Sequence, residues 1–421
     1  MKIAEIVEML TEDAPPVRFE AYDGSGFGPS DARFTIRLKT ERGLRYIATA
    51  PGDLGLSRAY VAGDIDLEGV HPGDPYLLLR DLGQWRLRRP TTNELATLVR
   101  SLGLRRLVPP EPPAQETLPR WRRTVEGLRH SKSRDAESIH HHYDVSNAFY
   151  EKVLGPSMAY TCAVFPKPDA SLEEAQEEKF DLVCRKLGLE HGMRLLDVGC
   201  GWGGMALHAA KHYGARVVAV TLSSKQAEWG QAAVQRAGMS NLVTITHADY
   251  RDSPGRGYDA ISSIGLLEHV GAHNYARYFD FLYAKLRDGG RLLNHCITRP
   301  TNRVRVTTGA FIDRYVFPDG ELTGSGRIIT SVQDAGFEVR HEENLREHYA
   351  LTLAQWCANL KRNWDACVAD VGESTARVWG LYMAGSRLGF ETNEVQLHQV
   401  LAVRLTPSGD ASFPLRPTWG S

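Results

Sequence analysis

The chain has 421 residues, a formal net charge of -1, and is 42% hydrophobic and 24% charged. That length predicts two to three domains with a sizeable core. The balanced charge excludes a protein that binds polyanions over its whole surface, without excluding a local patch. No apolar run approaches the roughly 18 to 20 residues of a membrane-spanning helix, and "MKIAEIVEMLTEDAPP" carries acids where a signal peptide would be apolar. A cytoplasmic protein, soluble or peripheral at the inner membrane face, is the expectation. The six cysteines stand singly, without zinc spacing, and read as reduced thiols.

Residues 1–105 form a first, α+β unit. "ARFTIRLKT" alternates Phe34, Ile36 and Leu38 with Thr35, Arg37 and Lys39, the pattern of a half-buried strand. "LSRAYVAGDIDLEG" predicts a short helix stopped by Gly63, then another strand. No catalytic constellation is visible here, so a structural or lipid-facing role is expected.

The segment Asp81–Arg134 carries twelve Lys/Arg against five Asp/Glu, and residues 106–136 read as a basic, proline-rich linker. Within it "VPPEPPAQETLP" predicts an extended, mobile spacer. The basic stretch fits either a solvated linker or a surface for anionic phospholipid, with Trp85 and Trp121 as interfacial residues. No DNA- or RNA-binding motif accompanies it, so nucleic acid is not expected as a partner.

Residues 137–421 predict a larger domain. "SLEEAQEEKFDLVCRKLGLEHG" reads as a helix with Ser171 as N-cap and acids in its first turn. The strands "RLLDVG", "ARVVAVT", "NLVTITHADY", "YDAISSIG" and "GRLLNHCI" then alternate with helices, which predicts an α/β doubly wound sheet. "FEVRHEEN", the "LTLAQWCANLKRNWDACV" helix and "NEVQLHQVLAVRL" are expected to be lid and packing elements of the same domain.

Gly199, Gly201 and Gly204 satisfy GxGxxG, a weak sign of a dinucleotide site. A dinucleotide fold should place an acid at the end of the second strand, where this chain has "VTLSSKQ". Asp197 and the downstream "HADYRD" suit S-adenosylmethionine instead.

The ordered set "HYDVSNAFY", "MAYTCAVF", "LLDVGCGWGG", "VTLSSKQ", "ADYRD", "LLEHVGAHNY", "DRYVFPDGEL" and "LREHYALTLAQW" resembles the cyclopropane-fatty-acyl-phospholipid synthase family over about Ile139 to Arg404. The longer N-terminal region resembles the phospholipid-acting members more than the short mycolic ones. The resemblance implies a class I methyltransferase, Rossmann-like sheet and methyl transfer from S-adenosylmethionine to the cis double bond of unsaturated phospholipid acyl chains. It implies a carbocation deprotonated by a bound bicarbonate ion, with a cyclopropane or 10-methylene product. It places the bicarbonate on Cys162, Glu268, His295, the backbone of Ile297, and Tyr349. It places the cofactor on Tyr160, Thr161, Gly199, Gly201, Thr221, Leu222 and Gln226, with Asp249 and Tyr250 near the adenine.

Tyr143, Tyr160, Phe279, Tyr315 and Tyr349 are candidates to face the cation. A homodimer that raises local concentration at the membrane fits the same picture. A small-molecule methyltransferase on this fold and a non-catalytic lipid-binding protein are the alternatives.

Overall fold

The computed structural model describes residues 1–85, 88, 90–117, 145–303 and 308–419. Its contacts divide the chain into two compact units. The first comprises Met1–Pro119, Gly309–Pro318 and Leu353–Leu388; the second comprises Arg120–Thr308, Asp319–Thr352 and Gly389–Ser421. This division does not follow the contiguous 1–105, 106–136 and 137–421 reading. Leu353–Leu388, expected among the packing elements of the larger domain, packs into the first unit, where Arg377 donates to the carbonyl of Tyr60 at 3.0 Å.

In the first unit, strands β1 (Arg18–Ala21), β2 (Gly26–Phe27), β3 (Thr35–Leu38) and β4 (Ile65–Glu68) form a sheet in the order β2-β1-β3-β4. The alternation read around β3 holds, with Phe34 and Leu38 buried and Arg37 exposed. The helix Asp53–Val61 ends before Gly63, whose φ of 77° a side chain would strain, and β4 follows.

The proline-rich spacer is tied down where the sequence predicted mobility. Arg45 donates to the Val108 carbonyl, Tyr46 to that of Glu111, and Thr117 to that of Arg314. The Glu116 carboxylate, fully buried, is held between Arg58 and Arg314. These contacts anchor the spacer at several points although much of it is exposed. Of the basic residues and tryptophans expected at a lipid surface, Arg86, Arg89, Arg120, Trp121, Arg122, Arg123, Arg129, Lys132 and Arg134 lie outside the described residues, as does Tyr143.

In the second unit, β5 (Arg194–Val198), β6 (Arg216–Thr221), β7 (Val243–His247), β8 (Tyr258–Ile264), β9 (Leu286–Thr298), β10 (Glu338–Asn344) and β11 (Gln396–Val403) form one sheet in the order β10-β11-β9-β8-β5-β6-β7. β5 to β9 run parallel, while β11 is antiparallel to β9 and β10 to β11. This is the expected α/β doubly wound arrangement. Strand order reverses between β5 and β8, and such a switch point leaves a crevice at the carboxyl ends of the strands.

Consecutive strand residues face opposite ways. Leu195, Ala260, Leu293 and Leu401 pack under the helices Leu172–Leu187 and Gly204–Tyr213. Leu196, Ile261, Leu292 and Val400 pack under the helices Tyr275–Lys285 and Ser325–Asp334. The helix Leu172–Leu187 starts as read from sequence. Ser171 and Glu174 close a reciprocal cap, worth about 1 kcal/mol, and Gly188 in the left-handed region stops it.

Candidate active site

The turn after β5 folds back on its neighbour strand, with the N–H groups of Gly199 and Cys200 both donating to the Val220 carbonyl at 2.9 and 3.0 Å. Gly199 has φ 74°, and a Cβ there would lie 3.1 Å from the Leu266 side chain. Gly203 has φ 85°, and a Cβ would meet Ile245 at 2.4 Å. Both demands explain the glycines physically. Gly204 opens the next helix.

These turns border an open cleft at the switch point. Gly199, Gly201, Thr221, Leu222, Gln226 and Tyr250 line it, all six being residues the resemblance implied. Thr221 Oγ1 and Gln226 Oε1 are 2.8 Å apart, which fixes the Gln226 amide at the end of β6. His269 and Gly265 also line it.

Four further expected cofactor residues do not line the cleft. Asp197 is 2% exposed and accepts from Ser262 Oγ at 2.7 Å, so it lies beneath the turn. Desolvation raises its carboxyl to about 6, against the lowering effects of Ser262 and Lys179. Asp249 caps the turn Tyr250–Asp252 and accepts from the N–H and guanidinium of Arg251. Thr161 abuts Gly265, where a Cβ would lie 3.0 Å from the threonine methyl. The Tyr160 ring is 5.9 Å from that of Tyr150. Phe279 sits in the core with Tyr275 and Tyr278, and Tyr315 belongs to the first unit.

Backbone pairing links the segments that carry the five residues expected at the bicarbonate. The Glu268 carboxylate accepts from the Ile297 N–H at 2.7 Å through Oε1. His295 lies two residues back on β9 and is 1% exposed. Ile297 pairs with Leu397 of β11, whose carbonyl accepts from Leu345 N–H at 2.8 Å. The Leu345 carbonyl in turn lies 3.8 Å from Cys162 Sγ and accepts the Tyr349 N–H at 3.2 Å. The Tyr349 ring rests on Phe390 at 4.4 Å.

Burial sets the protonation states. Glu268 is pushed up to about 7 by desolvation, partly offset by the Ile297 N–H. His295 is held well below its ordinary value by desolvation and by Lys179 and Lys186, so it is neutral at pH 7. Desolvation drives the Cys162 thiol far up, so it is a thiol and no nucleophilic thiolate. Glu268 Oε2 and His295 Nε2 are buried and have no hydrogen-bond partner among the described residues.

Sequence reasoning missed a polar layer supporting these groups. On the face where Leu195, Ala260, Leu293 and Leu401 are apolar, the residues two steps on are Asp197, Ser262, His295 and Gln399. The helix Leu172–Leu187 presents Gln176, Lys179 and Lys186 to that face, all buried. Gln176 Nε2 donates to the Thr161 carbonyl at 2.9 Å, and Lys179 Nζ to Thr161 Oγ1 at 3.0 Å. Desolvation lowers Lys179 to about 7. The available signal was spacing: positions 176, 179, 183 and 186 form one helical stripe, and three of its four members are polar.

Fold and cleft define the class I methyltransferase architecture. The model of the family "Mycolic acid cyclopropane synthetase" matches residues 130–400, and the chain belongs to that family and with it to the S-adenosylmethionine-dependent methyltransferases. It is 59% identical over 421 residues to a probable fatty acid methyltransferase of Mycobacterium tuberculosis, covering 100% of this chain and 98% of that one. It is 34% identical to the cyclopropane-fatty-acyl-phospholipid synthase of Escherichia coli, covering 64% and 68% of the two chains. A solved mycolic acid cyclopropane synthase complexed with SAH and CTAB superposes with a TM-score of 0.60 at 32% identity, covering 64% of this chain and 98% of that one.

Proposed function

We propose that the protein transfers a methyl group from S-adenosylmethionine to the cis double bond of unsaturated acyl chains of membrane phospholipids, with bicarbonate as the base, giving a cyclopropane or 10-methylene product. The observation that carries the base assignment is the pair of buried, unpartnered atoms His295 Nε2 and Glu268 Oε2. A small oxyacid anion, with lone pairs and an O–H, can accept from a histidine N–H and donate to a carboxylate. An unmet buried polar group costs about 1 to 3 kcal/mol, so two of them favour such a guest.

When bound, bicarbonate supplies a proton acceptor inside a dry pocket. The chain's own residues hold and orient it: His295 donates through Nε2, Glu268 accepts, and Cys162 keeps its proton. At the cleft, Gly199 and Gly201 leave room for the methionine end of the donor, while Thr221, Gln226 and Tyr250 face its ribose and adenine. The alkene π pair forms the new C–C bond as the C–S bond breaks, leaving a cation on the acyl chain. The Tyr160 and Tyr349 rings stabilise it by roughly 0.5 to 2 kcal/mol each, where 1.4 kcal/mol is tenfold in rate.

The relatives, a probable fatty acid methyltransferase and a cyclopropane-fatty-acyl-phospholipid synthase, support a lipid substrate. An acyl chain leaving a bilayer is already out of water, so burying it adds little. Affinity then comes from presentation at the inner membrane face and from a homodimer. No helix among the described residues is long and apolar enough to cross a membrane.

Turnover in carbon-dioxide-depleted buffer tests the base assignment. Activity should fall and be restored by added bicarbonate; unchanged activity would remove bicarbonate from the reading.

A further inference from the structure

Three residues on neighbouring strands form one row on the sheet face that carries His295. Glu343 of β10 pairs with Gln399 of β11, and Gln399 pairs with His295 of β9. Lys186 reaches the row from the helix Leu172–Leu187. Its ammonium, fully buried, contacts the Glu343 carboxylate and donates to Gln399 Oε1 at 2.7 Å. The other end of the same amide, Nε2, is 3.1 Å from His295 Nδ1.

Donor and acceptor inventory settles the orientation of every member. An ammonium only donates, so the oxygen of Gln399 must face Lys186. The amide NH2 therefore faces His295 and can only donate, so His295 Nδ1 must be the acceptor. In a neutral imidazole the single proton then sits on Nε2. A protonated ring would set Nδ1–H against the amide N–H. Relieving that by turning the amide would set its NH2 against the Lys186 ammonium.

We infer that Gln399, oriented by Lys186, is a positioning residue that locks His295 as the Nε2–H tautomer and so makes it a permanent hydrogen-bond donor toward the base site. This rests on the reading of that site given above. The buried, unpartnered Nε2 is the atom so presented, and the depression of His295 below its ordinary range by burial and two nearby ammonium groups agrees with a neutral ring. Glu343, with a side chain 37% exposed, ties Lys186 to the surface end of the row. His295 therefore orients the base and takes no part in the proton's transfer.

Nitrogen-15 NMR of histidine-labelled protein, without substrate, tests the tautomer directly, with the His295 signals identified by their loss in His295→Gln. The wild type should show a protonated Nε2 and an unprotonated Nδ1. Gln399→Glu places a carboxylate beside Nδ1 and should move the proton there, while Lys186→Met should give a mixture and Lys186→Arg should restore the wild-type pattern. With Gln399→Glu, the bicarbonate concentration for half-maximal turnover should rise at least tenfold, with the KM for S-adenosylmethionine within about twofold.

A wild-type ring protonated at Nδ1, or a Gln399→Glu ring unchanged from wild type, overturns the inference. So does a moved proton with an unchanged bicarbonate requirement. A wild type that needs no bicarbonate yet shows the Nε2–H signature would instead overturn the base assignment, leaving the Gln399 lock supported.

Discussion

Replacing Glu268 by Gln should make the protein more stable at neutral pH while removing its turnover. In the fold this carboxyl has a pKa near 7, against an ordinary 4.5, because desolvation outweighs the Ile297 N–H bond. Its folded-state value is raised, so its contribution to stability is fully present below pH 4.5 and is lost as pH rises through about 7. The gap corresponds to about 3 kcal/mol. Gln is uncharged throughout and of nearly the same shape, so the difference between variant and wild type isolates this one group. Urea unfolding of both proteins in carbonate-free buffer at pH 5, 6, 7 and 8 is the assay. The variant should gain about 2.5 kcal/mol on the wild type between pH 5 and pH 8, most of it between pH 5 and 7. A difference that stays flat across that range, or falls, would refute the claim that Glu268 is a desolvated carboxyl.

Three further outcomes follow from the same geometry. Glu116→Ala leaves Arg58 and Arg314 facing each other without their buried acid, and should cost about 3 to 5 kcal/mol of stability, read as a lower urea midpoint and faster proteolysis near residue 116. Gly199→Ala forces a side chain into φ 74° and against Leu266, at about 1 to 2 kcal/mol of strain, which titration calorimetry should show as weaker S-adenosylhomocysteine binding. Cys162→Ser keeps a proton donor near the Leu345 carbonyl, so turnover should stay within about tenfold of wild type, one hydrogen bond's worth; complete loss would point to a nucleophilic thiol.

Periodicity and turn chemistry made the larger domain's sheet legible, because each strand from "RLLDVG" to "GRLLNHCI" is punctuated locally. The cleft followed from the same stretch, since Gly199, Gly201, Thr221 and Gln226 sit at the ends of β5 and β6. What local signals could not carry is register between distant strands. Gln399 meets His295 across a separation of 104 residues, and nothing in "QLHQVLAV" marks which of its glutamines faces inward. Lysines on a helix ordinarily face water, whereas the buried stripe of this one runs through Lys179 and Lys186. The tail was misplaced for a similar reason: the "LTLAQWCANLKRNWDACV" pattern shows that a helix has a buried face without showing which unit buries it. The proline spacer read as mobile because its anchors, Arg45, Tyr46, Arg58 and Arg314, lie 58 to 197 residues away.

The most direct measurement of the central claim is product analysis of oleoyl phospholipid vesicles incubated with the protein, bicarbonate and an S-adenosylmethionine whose transferable methyl carries three deuterons. Mass spectrometry should find the acyl chain enlarged by one carbon that retains two of the three deuterons, the third having been lost to the base. No added carbon, or a transferred methyl retaining all three, would contradict the account.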